Sequence, residues 1–399
     1  MTPCSVSVEH AEAWHTKNGF VWLDSLLAEC SDVPRQKGPS MIAAEPDFII
    51  KGSADEWDLL EKELATRKKG FDKKSPGAAI GFFRYDGSFY FGFYEKVFYY
   101  HSSAEKKILE IKKNSSPTKL EKFPLPFVSD ISSEKYCEMV RQAQEQIAAG
   151  NIYQVCLAHR FSAPFEGDPW QLYLALRKTS PAPFAAYLNL GEELILSSSP
   201  ERFLKINDRH ITTEPIKGTR PRNLFSQEDA RQALELQTSP KEIAELVMIT
   251  DLERNDLGKI CEYGSVTTSE LLCLKRYPHV FHLVSTIEGK LRKEISHVAA
   301  VAACFPGGSI SGAPKKMAMK IISELEPVPR DLFTGAIGYF GFNGESQFNI
   351  AIRTIVIREK QASFHVGAGI TTNSIPEEEW EETLHKAKGI FIASQSIAN

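Results

Sequence analysis

Strand-like and helix-like patterns follow one another in this chain without regular alternation, and that order limits the folds open to it more than any other feature. The run AAIGFFRYDG at 78–87 reads as a strand closed by a turn, and 88–100 continues with Phe and Tyr at strand density. A helix is predicted over 55–69. Further along, Ser132 or Ser133 can cap a helix in which Tyr136, Met139, Val140, Ala143 and Ile147 recur at helical spacing, with Gly150 past its end. A strand is predicted at 152–161. Its parity puts Tyr153, Val155, Leu157 and Phe161 on a core face, and Gln154, Cys156, Ala158 and Arg160 on a smaller, more polar face suited to a pocket wall. Further strands are predicted at 193–198, 336–342, 348–357 and 363–371, and helices at 227–237, 241–251, 313–324 and 376–394. With no internal repeat, this succession gives an α+β fold and not a doubly wound parallel sheet. A Lys-rich stretch at 105–122, ahead of Pro124 and Pro126, marks the boundary between a β-rich part (1–122) and a second part (123–399).

Composition serves mainly to exclude. The 399 residues are 42% hydrophobic and 25% charged, within the globular range. A net charge of -4 supplies no basic field for nucleic acid. The apolar run at 298–305 is eight residues long, far below the ~20 that span a bilayer. The start, MTPCSVSVEHAEAW, has neither a basic n-region nor an apolar h-region, so no secretory leader is expected. Seven cysteines with no Cys-x-x-Cys pair support neither a disulfide framework nor a thiolate metal cage, and a reducing cytoplasm is expected.

Chemistry-bearing residues fall into a few groups. Glu242 and Glu245, and again Glu379 and Glu382, are three apart, so each pair lies on one helix face. Carboxylates converging from two elements suit Mg²⁺, a hard cation that keeps waters and is shared with an anionic substrate. First-turn acids complementing a helix dipole, with Ser374 and Glu377 as a capping box, explain the same spacing, and the pattern leaves both open. In PIKGTRPR at 215–222, Lys217 is wedged between Ile216 and Gly218. An ordinary lysine, pKa ~10.4, is neutral about once in 2,500 at pH 7, a deficit of roughly 4.6 kcal/mol. A nucleophilic lysine therefore needs burial or charged neighbours, and the alternative is a basic surface turn. FPGGSISGAPK at 305–315 is a glycine loop entering a helix, with amides able to hold a carboxylate. Gly367 and Gly369 allow close backbone approach. Arg353, alternating with Asn349 and Ala351, is expected to reach a pocket, where its fork suits a carboxylate.

Taken together, GNIYQV at 150–155, SPERF at 199–203, PIKGTRPR, DLERND at 251–256, HLVS at 282–285, FPGGSISGAPK, and GAGI at 367–370 followed by Glu379 and Glu382 resemble the chorismate-utilising enzymes over about 132–392. Within that family they are most similar to the large subunits of aminodeoxychorismate synthases. The N-terminal part is similar through WLDS at 22–25 and AAEP at 43–46. The resemblance implies antiparallel sheets packed as a sandwich with flanking helices. It implies Mg²⁺ held by Glu245 and Glu382 with Glu242 and Glu379 in support, Lys217 as nucleophile at ring carbon C2, and Glu201 as proton donor to the leaving C4 hydroxyl. Gln154, Gly218, Thr219, His282, Ser309, Arg353, Gly367, Gly369 and Lys386 match the family's substrate-binding positions. Gln154 stands where relatives that add water carry a lysine base, which points to ammonia. Lys217 stands where anthranilate synthases carry alanine, which points to amination at C4. The implied product is 4-amino-4-deoxychorismate, on the way to p-aminobenzoate and folate. No Cys sits in a G-x-C-x-G elbow, so a separate glutaminase subunit is the expected ammonia source. Anthranilate synthase component I, and a non-catalytic chorismate-binding partner of a glutaminase, are the competing readings. Three positions depart from the family pattern. Phe333 replaces a tyrosine, His159 replaces a glutamine, and Gly38-Pro39-Ser40 lacks the arginine and tyrosine of tryptophan-binding relatives, so no tryptophan site is expected.

Overall fold

The computed structural model describes residues 3–25, 40–68, 77–100, 125–223, 225–277 and 280–396. Its strands form two ten-stranded sheets. The first holds β1 (Phe20–Asp24), β2 (Ser40–Ala43), β6 (Phe98–Tyr100), β7 (Val128–Ser129), β8 (Gln154–Pro164), β9 (Phe184–Asn189), β10 (Glu193–Ser199), β16 (Gly312–Ala313), β19 (Thr354–Arg358) and β20 (Gln361–Ile370). The second holds β3 (Phe48–Gly52), β4 (Ala78–Phe83), β5 (Phe89–Tyr94), β11 (Arg202–Asn207), β12 (His210–Glu214), β13 (Ile216–Pro221), β14 (Thr267–Arg276), β15 (Val280–Lys290), β17 (Ala336–Gly341) and β18 (Glu345–Asn349). The pairings are antiparallel, as in β8 with β20 and β13 with β15. The helices are α1 (Pro3–Trp14), α2 (Trp57–Lys68), α3 (Ser133–Ala148), α4 (Pro169–Thr179), α5 (Ser226–Thr238), α6 (Pro240–Gly258), α7 (His297–Cys304), α8 (Lys315–Leu325) and α9 (Pro376–Ser396). No helix among the described residues is long and apolar enough to cross a membrane.

The sheets face each other across a core to which both contribute: Val21, Leu188 and Ile195 from the first meet Ile80, Phe82 and Ile337 from the second. The outer face of the second sheet presents Phe83, Phe91, Phe340 and Phe348 to Leu257 of α6 and Val298 of α7. The outer face of the first packs Trp22, Leu196 and Phe364 under Trp170 of α4 and Ile390 of α9. Both faces of each sheet are therefore covered, and the expected α+β sandwich with flanking helices is what the chain forms. β1 to β6, from the part before residue 122, belong to the same two sheets as the later strands. The Lys-rich stretch at 105–122 lies outside the described residues.

Local sequence explains most elements. Ser132 caps α3, its Oγ accepting the Lys135 amide at 3.3 Å, and Tyr136, Met139, Val140 and Ala143 are buried beneath it. Three expectations need correction. The strand predicted at 348–357 is two strands in different sheets. β18 ends at Asn349, the chain crosses between the sheets, and Arg353 sits in that crossing with φ +51°. Apolar residues crowd both sides of Arg353, Ile350 and Ile352 before it and Ile355 to Ile357 after it, so periodicity alone does not reveal the crossing. Tyr153 precedes β8 and is 73% exposed, not part of its core face. Ser374 and Glu377 form no capping box: the Ser374 hydroxyl donates to Glu379 at 2.7 Å, while Glu377 pairs with Arg141 at 3.1 Å.

Candidate active site

PIKGTRPR is a sheet-edge strand with a bulge. Lys217 lies opposite Leu283 and Thr219 opposite His282, which leaves Gly218 as the extra residue at φ +72°. A Cβ there would lie 2.6 Å from Leu236 Cδ1 and 2.9 Å from Glu242 Oε2, so only glycine fits. The bulge leaves the Lys217 side chain 16% exposed, in a cleft and not on a solvated tip. Its Nζ donates to the Ser309 carbonyl at 3.3 Å and lies 3.8 Å from Glu245.

Glu201, in the turn between β10 and β11, is buried beside it. Burial pushes its carboxyl up, against hydrogen bonds from the Ser309 hydroxyl and the Ile216 amide and the charges of Lys217 and Lys386. The turn is held by a buried Arg202–Glu214 ion pair at 2.6 Å. Arg353 feels the charge of Glu201, and burial lowers its own proton affinity. His282 is pushed down to about 4 by burial and by Arg353, so it is neutral at pH 7. Its Nδ1 lies 3.0 Å from the Thr219 hydroxyl and 3.2 Å from the Gly218 carbonyl. A carbonyl only accepts, so Nδ1 carries the hydrogen and Nε2 is left as an acceptor.

Two acid pairs face this cleft from α6 and α9. Burial raises Glu245, which Lys217 counters and Glu242 reinforces. Burial also raises Glu379; its Oε1 accepts from Ser374, and its Oε2 is buried with no hydrogen-bond partner. For Glu382 burial is outweighed by Lys386, at 2.7 Å, and by Lys241, and its carboxyl is held low. Lys241, which spacing did not single out, feels the negative charge of all four glutamates and lies 3.6 Å from Glu379. An unpaired buried carboxylate oxygen among mutually repelling acids fits a hard divalent cation. Among the described residues no three His, Cys, Asp or Glu side chains close into a ligand set.

The remaining wall comes from β8 and β20. Lys386 of α9 donates to the Gly367 carbonyl at 2.9 Å. A Cβ at Gly369 would collide with the Gln154 amide nitrogen, so glycine there gives Gln154 its space. Gln154 is 3% exposed, and its Oε1 has no hydrogen-bond partner. β16, at the end of the glycine loop, pairs Ala313 with Gln154 and so draws the loop to this wall. Of the three departures, Gly38 and Pro39 lie outside the described residues, and the other two lie in packed surroundings. Phe333 stacks on His365 with ring centroids 5.3 Å apart. His159 bridges the Ser129 and Thr383 hydroxyls at 2.9 Å each and stacks on Trp380. The Leu23-Asp24-Ser25 segment lines a separate cleft with Met41, Pro183 and Tyr339, where Asp24 is already paired with Arg177 at 2.5 Å.

The structure thus brings two acid pairs, a half-buried lysine, a raised carboxyl, a neutral histidine and a forked cation to one cleft of a two-sheet α+β fold. A model of the chorismate binding enzyme family matches residues 55–391. This chain belongs to that family. It is 44% identical over 292 residues to anthranilate synthase component 1 of Synechocystis sp., covering 70% of this chain and 57% of the relative. It is 45% identical over 263 residues to aminodeoxychorismate synthase component 1 of Escherichia coli K12, covering 66% of this chain and 58% of the relative. The chain therefore spans less than three fifths of the length of these relatives. The solved anthranilate synthase component I from Streptococcus pneumoniae superposes with a TM-score of 0.75 at 30% identity, over 88% of this chain and 92% of that one.

Proposed function

We propose that this protein aminates chorismate at C4 with ammonia, giving 4-amino-4-deoxychorismate. The observation that carries the reading is Lys217: an amine sequestered in the cleft, with the raised carboxyl of Glu201 alongside and Ser309 bridging the two. Nζ of Lys217 adds at C2 while the C4 hydroxyl departs, taking the Glu201 proton and leaving as water. Ammonia then adds at C4, the ring double bond shifts back, and Lys217 is expelled, so the lysine is regenerated. The buried, unpaired Oε1 of Gln154 supports ammonia as nucleophile, because it accepts an N–H and cannot take up a proton as a base would. Thr219 and His282 bind the ring hydroxyl or the neighbouring carboxylate, and Arg353 holds the enolpyruvyl carboxylate. The backbone of Gly218, Gly367 and Gly369 admits the ligand, and Lys386 adds positive charge. Glu245 and Glu382, supported by Glu242 and Glu379, would hold Mg²⁺. Bound there, the ion supplies charge stabilisation for the ring carboxylate. A glutaminase subunit delivers the ammonia, in the cytoplasm.

The names of the relatives favour a second reading, anthranilate synthase component I. The test is direct: the chain is incubated with chorismate, Mg²⁺ and ammonium, and the product is identified by mass spectrometry. Aminodeoxychorismate is expected, and anthranilate would give the assignment to the second reading.

A further inference from the structure

Of the three acids in the DLERND motif, none of which this reaction uses, two are buried. Glu253 and Asp256 lie on α6 about two and three turns beyond Glu245 and are 3% and 1% exposed. They share the buried face of that helix with Leu246, Ile249 and Leu257. Each holds one end of the glycine loop. Glu253 Oε1 accepts the Gly308 amide at 2.9 Å. Asp256 pairs with Lys315, and the same ammonium donates to the Cys304 carbonyl at 2.8 Å. Between these anchors lies Ser309, whose carbonyl accepts from Lys217 and whose hydroxyl donates to Glu201. A Cβ on Gly308 would meet Leu252 at 2.6 Å and Glu253 Oε1 at 3.0 Å, so the loop lies flush against the helix. The other oxygen, Oε2, is buried with no hydrogen-bond partner.

We infer that Glu253 is a positioning residue: by holding the Gly308 amide it fixes Ser309 between Lys217 and Glu201 and sets the geometry in which those two groups work. It acts through Ser309 and touches no substrate, and the inference rests on the roles proposed above for Lys217 and Glu201. The group also titrates near neutrality. Burial raises it to about 7, against Lys315 and the Gly308 amide and with Asp256 and Glu201, the charged groups that face it. Deprotonation strengthens the bond accepted from Gly308 and adds a negative charge near Glu201, which favours the protonated acid there.

The test uses the full chain with Mg²⁺ and ammonium. Chorismate loss, whatever the product, is followed across about pH 6 to 9 at constant free ammonia for wild type, Glu253→Gln and Glu253→Ala. Glu253→Gln keeps the acceptor, so its plateau kcat stays within about threefold of wild type while the ionisation near pH 7 disappears from the profile. Glu253→Ala lets the loop drift, and kcat falls about 10²-fold with little change in KM. Amide hydrogen exchange at Gly308 and Ser309 speeds up in the alanine variant and not in the glutamine one. An unchanged pH profile in Glu253→Gln, or wild-type kcat in Glu253→Ala, overturns the inference. Should the alanine variant not fold, the glutamine profile decides. If wild type consumes no chorismate, the proposed reaction is what fails, and exchange alone then decides: equal protection in wild type and Glu253→Ala sinks the positioning role.

Discussion

Helices α6 and α9 carry the same Glu-x-x-Glu spacing near their starts, yet their carboxyls are tuned differently. In α6, Glu245 is driven up because burial outweighs Lys217 at 3.8 Å. In α9, Glu382 is held down because Lys386, one turn on, reaches it at 2.7 Å, while Glu379 is buried and raised like Glu245. One pattern yields raised and lowered acids according to which lysine each one meets. The difference shows that spacing fixes a shared face, and that the neighbours facing it fix the charge.

The largest way to break the comparison is to remove the lysine on the α6 side. Lys217→Ala is expected to lower C4 amination at least about 10³-fold, read as aminodeoxychorismate formed per minute, since on the proposed mechanism no other amine replaces it. Glu201→Gln follows, with kcat down about 10²-fold or more, because a general acid is lost while the hydrogen bond from Ser309 survives. The acid pairs themselves can be set against each other by calorimetric Mg²⁺ titration without substrate. Glu245 and Glu379 are raised, so protons compete with the cation there, and affinity should fall as pH drops towards the range of those two groups. In Glu382→Gln that pH dependence should persist with a weaker overall affinity, because the acid removed is the one already held low. Lys241→Ala, which removes a cation within reach of all four acids, should tighten Mg²⁺ several-fold. The smallest effects concern the helix starts. Ser239 caps α6, its Oγ accepting the Glu242 amide at 3.5 Å, and Ser239→Ala should cost about 1 kcal/mol in urea unfolding. Ser374→Ala should cost a similar amount and in addition release Glu379 Oε1, so it alone of the two shifts Mg²⁺ binding.

Much of the fold was legible because the pattern is local. The α3 cap and its buried face, and the strands near 193, 336 and 363, follow from spacing and propensity. α6 is longer than the predicted 241–251, reaching Gly258. Glu253 and Asp256 continue the three- and four-residue spacing of Leu246 and Ile249, and that was the available sign that they lie on the apolar face. Lys241 gave no such sign, since its role depends on α9, more than a hundred residues away. Arg353 was expected on a strand face, whereas it sits in the crossover between sheets.

By itself the sequence determined which side chains share a face, where glycine is needed, and that strands and helices would pack without regular alternation, because each of these depends on residues a few positions apart. The tertiary structure alone decided that Lys217 meets Glu245 and Ser309, that Gln154 is left with an unpaired oxygen, and which carboxyls are raised and which is held low. Those outcomes depend on burial and on charges brought together from distant parts of the chain, and a linear pattern carries no record of either.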